Sequence, residues 1–463
     1  MSDRLFTPES LPAAGVGVFS LDEALPRSST LIEASAGTGK TFTLTHLAAN
    51  FIERDAVPIS QLLLVTYTRA AAGELRDRLR RVLRQRAATT TDTDAGTRLR
   101  IAAEEFDTAT ITTIHGFCQQ VLTTLGVNVP LDPALKLLAD EETLITQIAA
   151  DLLAGQALAE STAEGTLPKL AKLTEAIRMG STHPGIVVAG HPDEPDHNRL
   201  AQLTTDGLDE LDRRLVARSL MTYQQLLNRV AAAVNGPKNS GVVDTLRRRF
   251  RVALIDEFQD TDPVQWEVFR LLFAGGDRAD SPTLVLVGDP KQAIYSFRGA
   301  DIATYLDAKQ VVERQRRLDR NWRSTPQLIA ALNSLFAGSR FGSSPDGAHT
   351  IGYDPVIAAR TSDGANDGHP ALTFRSFDMP AYQEVHPPEY QKNGKAIPTP
   401  IGLIRHLVGL DLVAQVRSTL AAGVRAEEIT VLVTSNKDAA RIQRLLAEAG
   451  LPVMQSEMNN RVG

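Results

Sequence analysis

Residues 252–262 read VALIDEFQDTD, and this stretch decides the fold. An apolar run, Val252 to Ile255, stops abruptly at Asp256-Glu257, and Gln259 follows two places later. A short apolar run of this kind suits a strand buried on both faces of a parallel sheet. Open parallel sheets place their ligand sites beyond the carboxyl ends of the strands, so the two acids stand at the edge of a nucleotide site. There Asp256 can hold Mg2+ through its water shell and Glu257 can polarise an attacking water. Gln259 can reach a γ-phosphate or that water. The competing reading is an acidic loop that caps a core strand.

A second stretch answers the first. Residues 31–41 read LIEASAGTGKT, an apolar strand start, a small-residue loop and then Gly39-Lys40-Thr41, with a helix-compatible run to Phe51. This is the strand–loop–helix setting of a phosphate-binding loop. Backbone N–H groups from Ala34, Ser35, Ala36, Gly37, Thr38 and Gly39 can cradle phosphates at the helix N-terminus. Lys40 supplies a point charge to the β- and γ-oxygens, and the Thr41 hydroxyl can join Asp256 in ligating Mg2+. Ala34 stands where G-x-x-x-x-G-K-[ST] has its first glycine.

With 463 residues, two to four domains are expected. The 22% charged content is that of a globular soluble protein rather than a membrane or disordered one. No apolar stretch reaches membrane-spanning length and the N-terminus shows no export signal, so a cytoplasmic protein with no membrane partner is expected. The single cysteine, Cys118, excludes an internal disulfide and reads as a packed thiol. A net charge of −6 argues mildly against nucleic acid, but arginines cluster at 76–86, 247–251 and 314–323. The first two clusters are open between solvated helix faces and a nucleic-acid contact.

Apolar runs at 62–66, 109–113 and 284–287 predict further strands, alternating with helical stretches such as 70–84. The fold class is therefore α/β with a P-loop parallel sheet. Residues 127–218 predict a mainly helical insertion, with periodicity at 141–158, that splits the core into 1–126 and 219–312. Residues 341–400 look loop-dominated with one short strand at 371–374, and 428–452 predict strand, helix, strand.

Taken in order, LIEASAGTGKT, LLLVTYTRAAAGELRDRL, TITTIHGFCQQVL, VALIDEFQDTDPVQW, LVLVGDPKQAIYSFRGADIATY and LDRNWRS resemble the motifs of UvrD-like superfamily 1 DNA helicases, and within them the RecB type. The resemblance implies a RecA-like motor domain with the start of a second one in 313–463. It implies ATP and Mg2+ as cofactors, held by the loop, Lys40, Thr41 and Asp256, with Glu257 on the hydrolytic water. Gln259 and Gln292 would sense the γ-phosphate, and Arg323 would reach it from the second motor domain. Single-stranded DNA would cross Thr66, Tyr67, His115, Tyr295, Phe297 and Arg298, with aromatics stacking on bases. For Tyr67 and Phe297 a core position is the alternative, and for His115 a structural role. DNA ends and the other subunits of a RecBCD-type complex are the implied partners.

The chain departs from the family in three ways. No glutamine precedes Gln61, so the adenine-reading glutamine has no counterpart. No later motif with a second catalytic arginine is seen, and no Asp…Asp-x-Lys nuclease cluster. The expectation is the front portion of a larger helicase–nuclease subunit. Two functions follow: a DNA-stimulated ATPase motor in double-strand-break repair, or a nucleotide- and DNA-binding fragment without turnover of its own. A P-loop small-molecule kinase leaves the aromatics after Gln292 unexplained.

Overall fold

A computed structural model describes residues 16–125, 136–138, 140–158, 166–182, 188–191, 193–235, 240–274, 282–294, 302–343, 350–361, 370–376, 385 and 401–454. The chain divides into two compact units, residues 1–362 and 363–463.

The first unit begins with β1 (Gly17–Val18) and β2 (Thr30–Ala34), which leads through the glycine loop into α1 (Lys40–Asp55). β3 (Leu62–Thr66) is followed by α2 (Arg69–Thr89) and α3 (Thr93–Glu104), and β4 (Thr110–Thr113) runs directly into α4 (Ile114–Leu125). The helix expected at 70–84 is longer because Thr68 caps its start, accepting from the Ala71 N–H, and arginines and alanines favour its continuation to Thr89.

Next comes a helical subassembly. The parallel pair β5 (Lys136–Leu137) and β6 (Leu220–Met221) brackets α5 (Glu141–Leu158), α6 (Leu170–Thr182) and α7 (Pro195–Ala217). Its own core includes Ile145, Ile148, Leu173, Ile177, Leu203 and Leu211. Gly207 lets α7 approach Ile177 where any Cβ would collide.

The chain then returns through α8 (Tyr223–Asn235) and α9 (Ser240–Arg249) to β7 (Val252–Ile255), α10 (Pro263–Phe273), β8 (Thr283–Gly288), α11 (Ile302–Val311) and β9 (Arg314–Leu318). The sheet has seven strands in the order β1-β9-β2-β8-β7-β3-β4, and every neighbouring pair is parallel. β9, which falls within the span assigned from sequence to a second motor domain, lies inside this sheet between β1 and β2.

Period-two alternation explains why these strands read as unbroken apolar runs. Leu62, Leu64, Leu254 and Val285 point to one face, under α1, α2 and α3. Leu63, Val65, Ile255 and Leu286 point to the other, packed with Phe117, Leu226, Phe269 and Tyr305. Cys118 is buried in this second core, where burial raises its thiol pKa.

Four arginines of the first two clusters take partners within the fold. Arg76 donates to the Ile111 carbonyl, Arg80 pairs with Asp107, and Arg86 binds Asn50, Glu53 and His46. Arg247 closes the end of α10, donating to the carbonyls of Leu271 and Leu272 at 2.9 and 2.8 Å.

After β9 come β10 (Arg320–Asn321), α12 (Pro326–Phe336), the antiparallel pair β11 (Arg340–Ser343) and β12 (Thr350–Gly352), and β13 (Ile357–Ala358), parallel to β10. In the second unit α13 (Ile401–Ala421) packs on α14 (Asn436–Glu448) through Val413, Ile442 and Leu446. The expected strand at 371–374 is not formed. The segments 429–435 and 451–453, also expected as strands, flank α14 without strand pairing. Apolar β-branched residues supply propensity, but a strand exists only where a neighbour accepts its ladder.

Candidate nucleotide site

The strand order brings the carboxyl ends of β2, β8, β7, β3 and β4 side by side along one edge. At the end of β2 the loop turns on Gly37 (φ 78°) and Gly39 (φ 90°), conformations that cost other residues steric strain. The Thr38 hydroxyl donates to the Ser35 carbonyl at 2.7 Å and closes the turn. Gly39 caps α1 without a side-chain hydrogen bond, so the N–H groups of the first turn face the loop.

A second segment clamps this loop, and sequence reasoning had singled out only its arginine. Asn321 is buried; its Nδ2 donates to the Ala36 carbonyl at 2.8 Å, and its Oδ1 accepts the N–H groups of Arg323 (3.0 Å) and Ser324 (2.8 Å). The Trp322 N–H donates to the Gly37 carbonyl at 2.8 Å. A Cβ on Gly37 would lie 2.7 Å from Asn321 Nδ2 and 3.0 Å from Arg323 Cβ. Arg323 is thus brought against the loop. Trp322 (62% exposed) and Phe42 (53% exposed) both reach within 3.8 Å of the Cβ position of Gly39, flanking the helix start. The signal for Asn321 and Trp322 was their adjacency to Arg323 in LDRNWRS.

Beyond β7 the backbone at Glu257 takes φ 50°, left-handed for a residue with a side chain, and strain of this kind collects at functional sites. Lys40 Nζ lies 2.7 Å from Glu257 Oε2, and Gln259 Nε2 donates to the same oxygen at 2.8 Å. Asp256 is buried, with Oδ1 accepting the Glu257 N–H at 3.0 Å. Burial, then the charge of Glu257, raises the Asp256 pKa to about 7. The same causes in the same order raise Asp260 to about 6, and its buried Oδ1 has no partner among the described residues. Carboxylates short of compensating charge, beside a glycine cradle and a lysine, fit a divalent cation with its phosphates.

At the end of β8, Asp289 is buried and accepts from Lys291 N (3.1 Å), Lys291 Nζ (2.9 Å) and Gln292 Nε2 (2.7 Å). The Gln292 amide therefore ends on Asp289. Tyr295, Phe297 and Arg298 lie outside the described residues.

At the far end of this edge Thr66 pairs in register with Thr113, which places Tyr67 and His115 just beyond neighbouring strands. Thr66 is buried, its hydroxyl without a partner among the described residues; Tyr67 is half-buried. His115 meets Tyr223 edge-on at 4.8 Å, and burial lowers its pKa, so the ring is neutral near pH 7. Gly116 is required behind it, because a Cβ there would strike the Thr112 hydroxyl.

A glycine loop at a helix start, a strand-end acid pair and a glutamine-bearing turn lie along one edge of a parallel sheet, the arrangement of a P-loop fold. The family model for the UvrD/REP helicase N-terminal domain matches residues 22–313, more than half of the chain, and the chain belongs to that family. It is 34% identical to the RecBCD enzyme subunit RecB of Mycolicibacterium smegmatis, over 93% of this chain and 40% of that protein. It is 27% identical to the Escherichia coli K12 subunit of the same name, over 91% and 47%. It is 30% identical to the ATP-dependent DNA helicase UvrD2 of Mycobacterium bovis, over 68% and 42%. The chain thus spans less than half the length of these relatives. No helix among the described residues is long and apolar enough to cross a membrane.

Proposed function

We propose that this chain carries the ATP site and the first DNA-engaging half of a RecB-type DNA helicase, coupling Mg-ATP hydrolysis to movement on single-stranded DNA during double-strand-break repair. The observation that carries the reading is the convergence of Lys40, Glu257, Asp256 and the Gly37–Gly39 cradle at neighbouring strand ends. Residues 1–126 and 219–312, joined by the sheet strand β9, then form the first motor domain, 127–218 its helical insertion, and the chain after β9 to 463 the start of a second motor domain.

In this reading ATP supplies the phosphoryl group and Mg2+ neutralises its developing charge. The loop N–H groups and Lys40 hold the β- and γ-phosphates, while Thr41 and Asp256 serve the metal. Lys40 leaves Glu257 for phosphate oxygens, which frees the Glu257 carboxylate to take a proton from the attacking water. Trp322 and Phe42 offer aromatic faces beside the loop, where a purine can stack in place of a glutamine contact. Arg323 and Gln292 approach the γ-phosphate from the two flanks. Thr66, Tyr67, His115, Tyr295, Phe297 and Arg298 form the DNA path, and the other subunits of a RecBCD-type complex are the proposed protein partners.

The test is steady-state ATP hydrolysis by the purified chain, with and without single-stranded DNA, beside Glu257→Gln. DNA-stimulated turnover that the variant abolishes supports a complete motor site. Nucleotide binding without turnover supports the second reading, a nucleotide- and DNA-binding part that needs groups from elsewhere.

A further inference from the structure

We propose that Gln259 is a positioning residue that ties the Glu257 carboxylate to the Asp289–Gln292 turn, so that the nucleotide site and the end of β8 move as one. The inference rests on the nucleotide-site reading above.

Gln259 is only 2% exposed. Its Oε1 accepts the Asp289 N–H at 2.9 Å, and its Nε2 donates to Glu257 Oε2 at 2.8 Å and to Asp260 Oδ2 at 3.3 Å. The amide orientation is dictated by these neighbours: a backbone N–H faces one end and two carboxylates face the other. A flipped amide would set donor against donor and oxygen against carboxylate. With both ends of the amide engaged internally, Gln259 acts on the γ-phosphate through Glu257 rather than by touching it.

The bridge is built tightly. A Cβ on Gly288 would lie 2.8 Å from Gln259 Oε1 and 3.2 Å from Gln259 N, so only glycine lets the end of β8 sit this close. On the far side the Asp289 carboxylate accepts Gln292 Nε2 at 2.7 Å. Direct bonds therefore run from Lys40 through Glu257, Gln259 and Asp289 to Gln292.

Such a chain has a physical consequence. When Lys40 turns to phosphate, Glu257 Oε2 loses its cationic partner and keeps the Gln259 N–H. A planar amide cannot follow Glu257 at one end without pulling on the Asp289 N–H at the other. Movement of the turn shifts Glu257 by the same route. In a buried network each bond polarises the next, so the two ends are energetically coupled.

The experiment measures the affinity of the full chain for a fluorescent, non-hydrolysable MgATP analogue, with and without saturating oligothymidylate. Gln259→Met keeps length and burial but cannot hydrogen-bond. The parent should show a coupling factor on the order of tenfold, and Gln259→Met a factor within about twofold of unity. Equal coupling in both proteins, or no coupling in the parent, overturns the bridge. A parent that binds neither ligand overturns the functional reading itself. Hydrogen exchange on the unaltered chain supplies an independent check. Nucleotide alone should change exchange at the Asp289 amide, and protection of the glycine loop with no change at Asp289 overturns the proposal.

Discussion

Lys40 and Glu257, 217 residues apart in sequence, form an ion pair of 2.7 Å between the start of α1 and the end of β7. The pair joins the lysine that follows the glycine loop to the acid that follows the buried strand. Each group holds the other in place.

Replacement of Lys40 by alanine removes both halves of this relationship. MgATP affinity should fall by at least about tenfold to a hundredfold, as expected for loss of a charge-assisted contact. Titration with a fluorescent nucleotide decides it; unchanged affinity would remove the phosphate-loop assignment.

Glu257→Gln keeps the shape of the side chain and its reach to Lys40, but not its basicity. Nucleotide binding should persist while any hydrolysis drops by about 10²–10⁴-fold. A variant that turns over at the parent rate would take Glu257 out of the water-activating role.

The Asn321 clamp should matter for stability as well as for binding. Asn321→Ala leaves the Ala36 carbonyl and the N–H groups of Arg323 and Ser324 without their partner. The expected loss is about 1–3 kcal/mol in denaturant unfolding, with weaker nucleotide binding alongside. Wild-type stability together with wild-type affinity would show that the loop holds its shape unaided.

Stability should also depend on pH through the buried acids. Asp256 is raised from 3.8 to about 7 and Asp260 from 3.8 to about 6, by burial first and Glu257 second. The folded chain therefore keeps protons that the unfolded chain has released. The stabilisation is fully present below the ordinary carboxylate value and is lost as pH rises through the raised ones. Thermal melts should show the chain less stable near pH 8 than near pH 5, a slope that Asp256→Asn flattens. Saturating Mg–nucleotide should also reduce it, since a cation then takes the place of the proton. An equal slope in Asp256→Asn would place the titration elsewhere.

Phe297, beyond the described residues, carries a prediction from sequence alone. Phe297→Ala should weaken single-stranded DNA binding by about 1–3 kcal/mol and leave nucleotide affinity unchanged. Equal loss of both in paired titrations would mark a core aromatic instead.

The strands that frame the site were legible because burial on both sheet faces leaves a composition signal. LLLVT and VALI appear as β3 and β7, and their polar ends mark the edge. The same reasoning failed at 429–433, where an apolar run has no pairing strand. It also missed α13, whose apolar residues are spread round the helix rather than along one stripe, leaving Gly409 and Val413 as its buried positions. The arginines of α2 could not be sorted by sequence, because Arg86 and Arg76 find their partners on α1 and β4.

Sequence by itself determined the class of fold and the identity of the chemical groups: a lysine after a glycine loop, two acids after a buried strand, and glutamines at Gln259 and Gln292. Motif residues are local, and their types are constrained by the chemistry each performs. Only the tertiary structure decided who touches whom. It set Asn321 on the loop, Lys40 on Glu257, and Gln259 between Glu257 and Asp289 rather than free beside a phosphate. Those contacts join segments that are remote along the chain, and their geometry follows from strand order and register, which no single stretch of sequence encodes.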